Sequence, residues 1–252
     1  RHCHVIGQRR QLQRDLGVPP GRIHVVGAGY RQEVFNVGDG STERHPEQLL
    51  YVGKRSAAKG VPQLLEAFAA LRRRRPEVEL HIVGGGAGEE CEAIDARIAD
   101  LQGVTLHGLV DQPRLVELMR QSAVCVLPSF YEGVPLVLVE AFACGCRLVA
   151  TALPGVKEQL APQLGDLLEL CPLPAMAGID TPAPEGLPGF IRDLEAALHR
   201  ALEAPPLGDP AETRPEALVA CSWAAVFQRI EELWLAPAGP REGCTNPSAE
   251  TC

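Results

Sequence analysis

Seven short apolar runs, at 23–27, 48–53, 79–83, 104–106, 123–128, 147–150 and 167–170, punctuate this chain. Helix-period stretches separate most of them, near 61–75, 88–101, 112–121, 134–144 and 155–161. Runs of that length with no polar alternation suit strands covered on both faces, as in a parallel sheet. Strands that alternate with helices predict a doubly wound, Rossmann-like α/β domain. In open sheets of this kind ligands bind beyond the carboxyl ends of the strands. The loops after the strands are therefore where chemistry is expected.

Five prolines between Cys171 and Gly189 break any regular pattern and predict a long loop, followed by a helix at 189–203 and a last one at 216–234. With 252 residues and 46% hydrophobic content the chain is large enough for one big core, so the expectation is one domain of roughly 200 residues with tails. Residues 1–20 read as a linker with a partial first helix, 21–234 as the domain and 235–252 as a disordered tail. A net charge of −8 and 4% aromatic content speak against a nucleic-acid groove. No apolar run approaches the roughly 20 residues of a membrane span, and a cytoplasmic location is expected. The nine cysteines are odd in number and lack the spacing of a disulfide scaffold, so reduced thiols are expected. Cys144-Gly145-Cys146 straddles a helix end and lacks a CxxC partner, and His2-Cys3-His4 reads as a strand or helix edge that could hold a metal only adventitiously, so no metal site is expected.

Two strand-end segments carry most of the chemistry. After the run 123–128 comes EGVPLVLVE, with Glu132 on a loop, a turn at Gly133 and Pro135, and Glu140 inside an apolar helix face. The spacing predicts a helix beginning near Val134 with Pro135 in its first turn. Backbone amides at Gly133, Val134 and Leu136 would then face outward at the positive end of the helix, where an anion is favoured. A carboxylate at Glu140, flanked by Leu138, Val139, Ala141 and Phe142, should be part-buried and in need of donors. The second segment, VGKRSAAKG, places Lys54, Arg55 and Lys59 after another strand, at a position suited to a diphosphate. Taken alone, the first segment also reads as a helix end with surface acids and the second as a solvated basic turn.

Together, in order and spacing, these segments resemble the donor-binding, C-terminal half of a GT-B retaining glycosyltransferase of family 4. The resemblance runs from about Gly17 to Trp234 and includes GVPPGRIHVVGAGYRQEVF, VGKRSAAKG, LHIVGGGAG, VTLHGLVDQPRLVELMRQSAVCVLPS, the E-x7-E element and SWAAVFQRIEELW. It implies that Lys54 and Lys59 hold the diphosphate of a nucleotide-sugar donor and that Glu132 binds the transferred hexose. It further implies that Glu140 binds the ribose, that the backbone at Val134, Pro135 and Leu136 meets sugar and phosphate, and that His107 to Val110, with Leu109, border the base. The family usually has arginine where Lys54 stands, and Arg55 is the residue that would supply the missing guanidinium fork. The common Asn-Gly-Val-Asp pattern is Ala28-Gly29-Tyr30-Arg31 here. The implied reaction is hexosyl transfer without an obligate metal or other cofactor, with acceptor recognition on a separate N-terminal domain and peripheral membrane contact as an option. In the family the last helix packs on that domain, so its apolar face is expected to be exposed.

Two other readings compete. A dinucleotide-dependent oxidoreductase is suggested by VGGGAG after a strand, but Glu89 stands where the fingerprint wants a third glycine. A glycosidase with Glu132 and Glu140 as its carboxylate pair leaves the basic loop unexplained. A non-catalytic nucleotide-binding fragment would share the fold of the first reading.

Overall fold

The computed structural model describes residues 2–3, 15–133 and 135–235. Val134, most of the 1–20 segment and the tail beyond 235 lie outside the described residues. The first strands, β1 (His2–Cys3) and β2 (His24–Val25), pair with each other in parallel. The main sheet contains β3 (His45–Val52), β4 (Glu79–Val83), β5 (Val104–Gly108), β6 (Ser122–Leu127), β7 (Arg147–Thr151) and β8 (Leu168–Cys171), in the order β5-β4-β3-β6-β7-β8 and with every pairing parallel. The expected strand at 23–27 is thus two residues long and belongs to the small sheet, not the large one.

Helices α1 (Val61–Arg72), α2 (Glu89–Ala99), α3 (Gln112–Gln121) and α4 (Leu136–Ala143) connect successive strands, and α6 (Leu187–Glu203) follows α5 (Ala161–Leu164). Helix α6 packs on α1, β6, β7 and β8, while α3 lies on β3 and β6 and α4 on β6 and β7. This is the expected doubly wound α/β arrangement. The one-face spacing of Leu64, Leu65, Phe68 and Leu71 on α1 is realised, each with no exposed surface, and Leu49, Leu50 and Tyr51 of β3 are equally buried in the same core. Each side chain of this size contributes about 1.5–3 kcal/mol on full burial, so β3 and α1 are both fixed in the core and hold the two ends of the loop between them.

Two expected helices are remodelled. The segment at 155–161 is a π-turn at Val156–Leu160 that runs into α5. The last helix is broken: after the short α7 (Pro210–Thr213) come α8 (Pro215–Ala220) and α9 (Trp223–Leu235). The break has two causes, one local and one long-range. The Ser222 hydroxyl accepts the Ala225 amide at 3.2 Å and so caps a new helix, while the Cys221 carbonyl is taken by the Tyr30 amide at 3.1 Å. As expected, α9 leaves an apolar surface open, with Phe227 62%, Trp234 73% and Leu235 75% exposed.

The proline-rich stretch after β8 is ordered by backbone bonds from Ala177 and Gly178 to the Thr181 carbonyl and by a bridge between Met176 and Pro182. All six cysteines with described side chains are free thiols. Burial pushes Cys144 and Cys171 up to about 12 and Cys146 to about 11, which keeps them protonated and unreactive at neutral pH.

Candidate functional site

The strand order reverses between β3 and β6: from β3 the chain winds outward to β4 and β5, and from β6 to β7 and β8. The loops leaving β3 and β6 therefore border the crevice that such a reversal opens at the carboxyl edge. Backbone bonds continue past the strand ends and join the loops into one shelf. The Gly53 amide donates to Val83, Arg55 to Gly85 and Gly84 to Gly108, at 2.8–2.9 Å. Across the crevice the Phe130 amide donates to the Ala58 carbonyl at 3.0 Å.

The loop after β3 ends in a 3-10 turn, Ala57–Lys59, that delivers Lys59 to the crevice. Its ammonium lies 2.6 Å from Oε1 of Glu132, and the Ser129 hydroxyl donates to the same oxygen at 2.9 Å. Ser129 itself is fully buried. The basic residue and the acid expected at the site, 73 positions apart, are thus an ion pair.

Lys54 is exposed at the mouth of a cleft of about 530 Å³. The cleft is lined by Val52, Gly84 to Ala87, Leu109 and Val110. Leu109, 85% exposed, stands at its rim. The loop around Leu109 and Val110 borders this space.

Two expectations need correction. Arg55 does not offer its guanidinium to the crevice. Its Nε and Nη2 bind the two carboxylate oxygens of Asp95 at 2.6 and 3.0 Å, and Nη1 donates to the Gly84 carbonyl. With the residue only 8% exposed, this fork is spent on holding the loop against α2. Helix α4 begins at Leu136, not near Val134. Pro135, with φ −77 and ψ 87, is the residue before the helix, and its carbonyl accepts the Leu138 amide at 3.0 Å. Gly133 and Pro135 are therefore loop residues and Leu136 opens the helix, whereas Val134 lies outside the described residues.

Glu140 sits on the second turn of α4, half-buried, and no hydrogen bond to its carboxylate is made among the described residues. Burial raises its pKa, opposed by the charge of Arg31. A carboxyl group with a raised folded-state pKa favours the folded state most when protonated, and that contribution is lost as pH rises through the folded value. Glu140→Gln is therefore expected to raise the unfolding midpoint at pH 7, and the gain should shrink as pH falls through the raised folded-state value toward the ordinary 4.5. Thermal unfolding at several pH values checks this; a midpoint lower than wild type at pH 7 would overturn it.

Several supporting residues escape a reading of the sequence. Asp95 looks like an ordinary helix acid, and Glu90 like one of the three first-turn carboxylates of α2, yet Glu90 accepts the Ala57 amide at 2.9 Å. The Tyr51 hydroxyl donates to the Lys54 carbonyl at 2.7 Å. The only sequence signal for these contacts is the presence of polar atoms at β3 and α2 positions that otherwise read as core or surface. The same first turn weakens the dinucleotide reading, because Glu89, Glu90 and Glu92 put negative charge where a pyrophosphate would have to lie.

Comparison with known proteins agrees with this fold. Residues 46–170 match the family model described as glycosyl transferases group 1. A D-inositol 3-phosphate glycosyltransferase of Nocardiopsis dassonvillei is 27% identical, with 93% of this chain and 55% of that protein aligned. One from Segniliparus rotundus is 31% identical over 72% of this chain and 41% of its own length. The chain thus spans about half the length of these relatives. Among solved structures, Anabaena HepE in complex with UDP and glucose has a TM-score of 0.65 at 15% identity, covering 92% of this chain and 62% of that one. WaaG, a glycosyltransferase involved in lipopolysaccharide biosynthesis, has a TM-score of 0.63 at 18% identity, covering 93% and 62%. At these identities the structures establish a shared GT-B-type fold. Through residues 46–170 the chain belongs to the glycosyl transferases group 1 family.

Proposed function

We propose that this chain is the donor-binding half of a retaining glycosyltransferase that uses a nucleotide-diphosphate sugar. The observation that carries the reading is the Lys59–Glu132 pair at the strand reversal, beside a cleft of about 530 Å³. Its size and apolar walls suit a nucleobase and ribose. Lys59 would meet the diphosphate and stabilise the charge that develops on the leaving group as the glycosidic bond breaks. Lys54 would add a second, exposed cation, and Glu132 would bind hydroxyls of the hexose. The half-buried Glu140, without a hydrogen-bond donor among the described residues, would accept both ribose hydroxyls, a use that accounts for a carboxylate held where burial disfavours its charge. Backbone at Gly133, Pro135 and Leu136 would line the sugar and phosphate side, and Leu109 and Val110 the base. Arg55 would serve indirectly, by fixing the loop that carries both lysines. The reaction would need no obligate metal, since the lysines supply the positive charge. The acceptor would be held by a further domain facing this crevice, and the apolar surface of α9 suits contact with it.

Calorimetric titration with UDP, GDP and their hexose conjugates tests the reading. At least one pair should bind. Glu140→Ala should weaken the free nucleoside diphosphate and the intact donor alike, by about tenfold, while Glu132→Ala should weaken the intact donor chiefly. If no nucleoside diphosphate or nucleotide sugar binds the wild-type chain, the assignment fails.

A further inference from the structure

We propose that Ser129 is a positioning residue for the donor sugar: its buried hydroxyl, together with Lys59, saturates Oε1 of Glu132 and so leaves Oε2 to accept from a sugar hydroxyl. The inference rests on the donor-binding reading above and concerns the same crevice.

The terminal torsion of a glutamate is soft, so the direction of its lone pairs is set by its partners. Oε1 has two, at 2.6 Å from Lys59 and 2.9 Å from Ser129, while Oε2 has none among the described residues. The two donors differ in what they can hold. Lys59 reaches the carboxylate on a flexible four-carbon stem, and its charge is compact and rotatable. Ser129 has one torsion between its hydroxyl and a backbone fixed on both sides, by β6 before it and by the Phe130–Ala58 bond after it. It has no exposed surface. When a diphosphate draws the Lys59 ammonium toward itself, the Ser129 hydroxyl is the donor that stays and keeps Glu132 oriented. A buried hydroxyl deprived of its acceptor is costly, so the bond persists in both states.

Ser129→Ala removes the hydroxyl at nearly constant volume. In the 252-residue chain the Kd for the preferred nucleotide sugar is expected to rise about tenfold, the ordinary size of one lost hydrogen bond to a charged group. The Kd for the corresponding free nucleoside diphosphate should stay within about twofold. In a Glu132→Ala background, Ser129→Ala should change neither value further, because the hydroxyl acts through the carboxylate. A purely packing role predicts equal losses for both ligands and additive losses in the double variant, and either result overturns the proposal. Unchanged nucleotide-sugar affinity in Ser129→Ala overturns it while leaving the donor-binding reading intact; absence of any nucleotide binding by the wild type overturns both. Should Ser129→Ala fail to fold, Ser129→Cys, close in size and a far weaker donor, is expected to show the same split between ligands.

Discussion

Gly60→Ala is expected to destabilise the chain by about 3 kcal/mol or more and to abolish nucleotide binding at concentrations that saturate the wild type. Two causes add. Gly60 has φ +70, a left-handed conformation that costs a side-chain-bearing residue about 1–3 kcal/mol. A Cβ there would also lie 2.1 Å from the Pro128 carbonyl oxygen, a backbone atom at the end of β6 that has little room to move. The methyl would push the loop after β3 away from the loop after β6, and the Lys59–Glu132 and Phe130–Ala58 contacts span that gap. Gly40 separates the two causes, since it has φ +81 but nothing within 4 Å of the point a Cβ would occupy. Gly40→Ala should therefore cost only the conformational part and leave binding unchanged. Thermal unfolding reads both: for a chain of this size a loss of about 3 kcal/mol lowers the midpoint by roughly 6–12 °C. Equal shifts for the two variants would show that the close approach of the loops carries no energy.

Much of this architecture is legible in the sequence because the relevant signals are local. The apolar runs that become β3, β4, β6, β7 and β8, and the one-face spacing of Leu64, Leu65, Phe68 and Leu71, report burial that the tertiary structure then provides. Lys59 and Glu132 are legible for a different reason: both lie just past strand ends, and in a parallel sheet all such ends share one edge. Arg55 shows where this reasoning stops. From the sequence it is one of three cations in a loop, and nothing local says that Asp95, 40 positions on, takes its fork. The start of α4 fails similarly. Proline is compatible with both the first helical turn and the residue before it, and only the ψ of 87 at Pro135 decides. The break at Ser222 depends on Tyr30, nearly 200 positions earlier, whose amide claims the Cys221 carbonyl. Ser129 is the clearest case of a silent residue, because a serine after a strand reads as a turn former until its hydroxyl is found on Glu132.

Lys59→Ala is expected to weaken nucleoside-diphosphate binding by about 1.5–3 kcal/mol, the range for hydrogen bonds to charged groups. The size of the effect depends on the charge the lysine leaves behind. Lys59 and Glu132 neutralise each other at 2.6 Å, with side chains 29% and 19% exposed. Without the ammonium, a diphosphate loses its cation and also meets the uncompensated charge of Glu132. Stability should respond less, because water still reaches this part-buried pair and the Ser129 hydroxyl stays on the carboxylate. A large loss of binding with a small shift in unfolding midpoint is therefore the expected signature, and it distinguishes a ligand contact from a structural salt bridge. Lys54→Ala supplies the contrast. Its ammonium is exposed, so its effect on binding should be smaller and should fade as salt screens it. The Lys59 effect should persist at salt concentrations that erase the Lys54 effect. Calorimetry with UDP and GDP at low and high ionic strength resolves the two, and affinities for both nucleotides that are unchanged by Lys59→Ala would remove the diphosphate from this end of the crevice.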